Sequence, residues 1–278
     1  MVEMRGHIYI KYKRNSKMFN SLFSFFILNQ LKNKKTMLVA LIGLIPILLA
    51  LLLTLLKPLI NGSSEPMDTI YPSFVFMVYM HFFVPITALF LGIGIIADEV
   101  EDKTLPFLLV RPVPRFMIVL VKYFSAIVFG AVIILISLLV SYSIFSLSYP
   151  VASFYSDILF IIQGYLVLIL GLMVYSILFT LLGGILKHPL IIGILFVFGW
   201  EKLIPYVPGN ARHFTIMSYL QRLFPNLSSS EIIKLPRYFY SIADMQSIVI
   251  LISILIVFGI LASIMLSIRE YYTNTDEI

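Results

Sequence analysis

Charged residues leave five long gaps in this chain. No Asp, Glu, Lys or Arg occurs between Lys35 and Lys57, Asp68 and Asp98, Lys122 and Asp157, Asp157 and Lys187, or Asp244 and Arg269. Each gap is rich in Leu, Ile, Val and Phe and can supply the roughly 20 apolar residues a helix needs to cross a bilayer core. A sixth run, PLIIGILFVFGW at 189–200, covers only about 18 Å at about 1.5 Å per residue. Extending it through EKLIPYV to Val207 makes it long enough, and places Glu201 and Lys202 in or near its outer boundary. The pattern predicts an all-α integral membrane protein with six transmembrane helices, at about 37–56, 74–96, 120–146, 158–182, 189–207 and 246–268.

The segments outside these runs carry patterns of their own. In the basic arm 1–35, Lys13, Lys17, Asn20, Ser21 and Ser24 form a polar stripe at helical spacing, and Phe19, Leu22, Phe23, Phe25, Phe26 and Ile27 fill the remaining faces. That pattern predicts an amphipathic helix lying in the membrane interface. Between 201 and 246, IMSYLQRLF and SEIIKLPRYFYSI mix apolar and charged residues at helical spacing. They predict helical segments resting on the outer surface or dipping into it. Residues 269–278 form a short tail.

Composition agrees with the pattern. The 278 residues are 60% hydrophobic and 12% charged, against about 25% charged in a soluble domain. The net charge of +6 is uneven, because eight of the twenty Lys and Arg fall in residues 1–35 beside a single acid, Glu3. A basic arm beside a span faces anionic lipid, and with no folded basic domain following it, nucleic acid is not an expected partner. Placing both termini in the cytoplasm puts fourteen Lys and Arg inside and six outside, the sense the positive-inside rule requires. The chain has no Cys, which excludes disulfides, thiolate zinc sites and thiol catalysis.

The densest charge lies in ADEVEDKTLPFLLVRPVPRFMIVLVKY, residues 97–123. Acids come first, at Asp98, Glu99, Glu101 and Asp102, and bases follow at Arg111, Arg115 and Lys122. Thr104 can cap a short helix there, and Pro106 is tolerated in its first turn. Leu105, Leu108 and Leu109 then share one face, and Pro112 and Pro114 end the helix. Helix-end electrostatics explains the sign order. It does not explain the apolar face, which wants lipid or a protein partner.

The string E-x-E-x-x-T-L-x-x-L-L-x-x-P-x-x-R, followed by Lys122, resembles the loop after the second span in type-2 ABC exporter permeases. Glu99, Glu101, Thr104, Leu105, Leu108, Leu109, Pro112 and Arg115 carry the match, while Lys103 stands where that pattern has Gly. The interfacial N-terminal helix, the six spans and the Trp200–Glu201 pair in the fifth are similar to the same family. The resemblance implies that residues 98–115 form a coupling helix docking in a groove of an ABC ATPase subunit. It also implies a second permease copy, and ATP with magnesium bound by the partner rather than by this chain. No G-x-x-x-x-G-K-[ST] occurs here, so the nucleotide site is expected on a separate subunit.

Two polar residues within the apolar runs are candidates for a pathway or gate. His81 sits mid-span, and Glu201 is a carboxylate near membrane depth, where charge is costly and tends to face a cavity or a partner. The alternatives are a structural His81 facing a neighbouring helix, and Glu201 paired with Lys202 or Arg212. A polytopic enzyme acting on lipid or peptide through these groups is the rival reading, but the pattern does not place His81 and Glu201 at one depth. A membrane anchor or sensor is a second rival. Pro46 and Pro85 are expected to bend their spans, and Ala126 and Gly130 to offer a small-residue contact face.

Overall fold

A computed structural model describes residues 34–57, 67–101, 115–149, 154–204, 211–225 and 244–268. Every element within them is helical. The basic arm 1–33, the stretch 102–114 and residues 226–243 lie outside the described residues, so the expected interfacial helix and the second outer segment do too.

Five helices are long and apolar enough to cross a membrane: Met37–Leu56, Ile70–Ile95, Val119–Ser148, Tyr155–Ile185 and Asp244–Met265. Each occupies one of the five charge-free gaps. They are called here the first, second, third, fourth and last spans. Of the expected sixth span, 189–207, residues 205–207 lie outside the described residues and the remainder is helical. It includes Pro189–Leu195, a π-helical turn Phe196–Trp200, and Glu201–Leu203. These fifteen residues alone cover about 23 Å, against roughly 30 Å for a bilayer core.

The second span is the centre of the bundle, with 67% of its apolar window buried. The corresponding figures for the first and last spans are 22% and 11%, so these two lie at the periphery. The second span packs most extensively on the fourth, and glycine makes that approach possible. A Cβ on Gly92 would lie 2.5 Å from the Ser176 carbonyl oxygen. One on Gly183 would lie 3.1 Å from the Ile93 backbone. The Thr180 hydroxyl adds a bond to the Gly92 carbonyl at 3.2 Å. This is small-residue packing of the kind that drives helix association in lipid. Ala126 and Gly130 of the third span are buried as expected, with Gly130 against Leu91 and Leu172.

Both expected prolines sit at irregularities. The first span breaks at Gly43, three residues before Pro46, into Lys34–Ile42 and Leu44–Leu56. Pro46 has no N–H for the carbonyl of Ile42, and the break falls in that turn. The second span is α-helical over Met67–Phe74, π-helical over Val75–Phe83, and α-helical again over Val84–Glu101. Pro85 is the second residue after the change of winding.

Hydroxyl groups join the first three spans. Ser137 donates to the Gly43 carbonyl at 3.0 Å, and Ser141 to the Leu138 carbonyl at 3.0 Å. With both serine protons engaged, the Tyr79 hydroxyl is left to donate. Its one proton is shared between Ser137 at 2.9 Å and Ser141 at 3.0 Å. The Tyr71 hydroxyl donates to Leu138 O at 2.9 Å. Ser137 and Ser141 lie four apart, and Tyr71 and Tyr79 eight apart, so each pair lines one helix face.

Candidate functional site

The charged loop 97–123 is described at its two ends. Glu99 and Glu101 fall on the last turn of Val84–Glu101, and Arg115 opens the helix Arg115–Ser148. Thr104, Leu105, Leu108, Leu109 and Pro112 lie outside the described residues. Lys122 Nζ donates to the Ile95 carbonyl at 2.9 Å. This bond clasps the second and third spans together where the loop leaves them.

Glu201 is 2% exposed. Its carboxylate accepts from two backbone N–H groups, Ile216 at 3.1 Å on one oxygen and Met217 at 3.0 Å on the other. These residues begin the helix Ile216–Leu223. A helix start leaves N–H groups without intrahelical partners, and a side chain of the N-cap residue usually supplies the acceptor. Thr215 occupies that position with an extended backbone but makes no side-chain cap. Glu201, fourteen residues earlier in the chain, supplies it instead. A carboxylate there also meets the positive end of the helix dipole. The preceding residue holds the same stretch: Trp200 Nε1 donates to the Phe214 carbonyl at 3.2 Å.

The expected alternative partner, Lys202, forms no hydrogen bond with Glu201. Its Nζ is buried, makes no hydrogen bond among the described residues, and lies 5.0 Å from the Phe82 ring centroid. It remains within electrostatic reach of both Glu201 and His81. The Arg212 side chain lies outside the described residues.

His81 joins the same group from the second span. Its Nδ1 donates to the Phe76 carbonyl at 3.0 Å. The carbonyl can only accept, so a neutral ring carries its proton on Nδ1. Nε2 is then an acceptor, and Gln221 Nε2 donates to it at 3.2 Å. Gln221 lies on the last turn of the helix that Glu201 caps. The sequence did not place His81 and Glu201 at one depth; the structure ties them to the two ends of one short helix. Tyr175 of the fourth span completes the group. It is wholly buried and interacts with the Glu201 carboxylate.

The helix, expected to rest on the outer surface or dip into it, is packed into the bundle. Residues 216–221 are all buried. Leu220 meets Gly171 of the fourth span. Phe224 packs its ring on Phe76 and Phe160, early in the second and fourth spans. Both spans begin at the end away from the 97–123 loop, so this helix occupies that half of the bundle. Arg222 pairs with Asp244 at the start of the last span at 2.8 Å.

Gln221 and Tyr175 carried no signal in the sequence, because each acts through a partner distant along the chain. The serine pair 137/141 did carry one: two hydroxyls four apart in an apolar run mark a helix–helix face. Compared with known protein families, residues 22–263 match the ABC-2 family transporter protein. A comparison with curated proteins finds no match. The match covers most of the chain and includes every helix that carries the groups above. This chain belongs to the ABC-2 transporter family and is a multi-pass membrane permease subunit, whose family implies an ABC ATPase partner and not catalysis by the permease itself.

Proposed function

We propose that this chain is the membrane half of an ATP-driven exporter. Two copies enclose one pathway, and two separate ATPase subunits bind ATP and magnesium on the cytoplasmic side. Both termini and the 97–123 loop face the cytoplasm in this reading, with 189–207 completing an even number of crossings in the cell membrane. Residues 98–115 form the coupling helix. Leu105, Leu108 and Leu109 enter a groove of the ATPase, Glu99 and Glu101 cap the start, and Thr104, Pro112 and Arg115 fix the ends and the angle.

One observation carries the reading: an acid-first, Leu-faced, proline-ended loop joins two helices clasped by Lys122 on the Ile95 carbonyl. A push on a loop so anchored moves the second and third spans together, as a rigid-body transmission. The glycine seam then carries that motion to the fourth span.

The test replaces Leu108 and Leu109 with Asp. Burying two Leu is worth roughly 3–6 kcal/mol, so docking should weaken by about two to four orders of magnitude. Co-purification of ATPase with tagged permease, at equal permease yield, reads the effect. Undiminished ATPase recovery overturns the coupling assignment. The enzyme reading fares worse on the geometry, because both Glu201 oxygens are engaged by backbone N–H groups and His81 Nε2 faces an amide.

A further inference from the structure

We propose that the helix Ile216–Leu223 is a moving part of the transport cycle, seated by a two-point polar catch: Glu201 on its first N–H groups and His81 on Gln221. The proposal deepens the transport reading and rests on it.

Three observations favour a catch over a fixed strut. First, the seat is incompletely satisfied. Lys202 Nζ and Gln221 Oε1 are buried around it without hydrogen-bond partners among the described residues. Buried groups of this kind oppose the seated state, and exposure to water would relieve them. Second, the polar contacts reach the helix through side chains from separate elements. Glu201 comes from the short run 189–203 and His81 from the second span. Neither contact is a backbone interlock like that of Gly92 on Ser176. Third, both elements are π-helical at the catch. His81 lies within Val75–Phe83, and Glu201 directly follows Phe196–Trp200. Its own N–H bonds the Phe196 carbonyl five residues back. Rings of the two π segments also meet, Phe82 with Phe198 at 6.2 Å between centroids. Such segments are rare and frequently mark functional sites. A change of winding in either would carry its catch residue off the helix.

Glu201 and His81 are therefore positioning residues, acting through the helix they hold. The cysteine-free chain makes the motion measurable. Met217 is 1% exposed, so a thiol at that position reacts only when the helix leaves its seat. The experiment uses the full transporter with its ATPase subunit in proteoliposomes. It compares the rate of methanethiosulfonate labelling of Met217→Cys without nucleotide, with ATP, and with a non-hydrolysable ATP analogue. Lys103→Cys in the coupling loop is the reference.

Labelling of Met217→Cys should change about tenfold between nucleotide states, as opening free energy sets accessibility. Glu201→Gln should raise the nucleotide-free rate, and so, independently, should Gln221→Leu, which releases the other end without touching a charge. The second variant keeps the test open if the first does not fold. Nucleotide-dependent labelling at Lys103→Cys with a constant rate at Met217→Cys overturns the catch and leaves the transport reading standing. Constant rates at both positions overturn both.

Discussion

The second span holds its two neighbours by opposite means. Against the fourth span it lays bare backbone on backbone, with Gly92 under Ser176 and Gly183 under Ile93. Against the helix Ile216–Leu223 it offers one imidazole hydrogen bond and a ring contact. The first contact has no room for a second arrangement, since any sliding drives side chains into backbone. The second can open by breaking a few polar bonds and parting side-chain contacts. Packed interfaces of the first kind transmit motion and those of the second kind absorb it. A transporter needs both.

The contrast breaks most visibly at Gly92. Gly92→Leu puts a side chain where even a Cβ would lie 2.5 Å from a backbone oxygen. Overpacking costs about 1–3 kcal/mol where side chains can move aside, and a carbonyl cannot. The yield of monodisperse protein by size-exclusion chromatography should collapse. Normal yield would mean that the seam is loose.

Glu201→Ala comes next. It removes two charge-assisted bonds and strands two buried N–H groups, for about 2–4 kcal/mol. The thermal midpoint in detergent should fall clearly, and Glu201→Gln, which keeps one acceptor oxygen, should fall about half as far. Equal midpoints for wild type and Glu201→Ala would remove the cap from the account. Smallest is Tyr79→Phe, which deletes one shared proton between two serines and should cost about 1 kcal/mol. A midpoint change as large as that of Glu201→Ala would show that the hydroxyl ladder, not the helix Ile216–Leu223, is the sensitive polar region.

The five long spans were legible because lipid leaves a coarse record: each lies in a stretch without charge. Met37–Leu56 and Asp244–Met265 could be read from neighbouring charges alone. The role of Glu201 could not. Its partners are backbone N–H groups, which every non-proline residue owns, so no residue type announces them. His81 and Gln221 are 140 positions apart, and one sequence holds no trace of such a pairing. IMSYLQRLF read as a segment resting on the outer surface or dipping into it because its polar residues suggested water. In the fold, Gln221 meets His81, Ser218 bonds the Thr215 carbonyl, and Arg222 meets Asp244. The core of the 97–123 loop, Thr104 to Pro112, rests on its pattern.

The π-helical stretch Val75–Phe83 makes the second span sensitive to length as well as to composition. Each π turn holds nearly one residue more than an α turn, so the helix on either side is out of phase with a continuous α-helix. Deleting a single residue there would let the segment close as α-helix and rotate everything before it by about 100°. Tyr71 would swing away from Leu138 and out of its ring of Phe145, Tyr142 and Phe160, although no side chain in those contacts had been changed. The surplus residue works as a phase setting that lets one helix present its hydroxyl ladder at one end and its glycine seam at the other. A one-residue deletion scan across this stretch would read that setting directly, where substitutions leave it untouched.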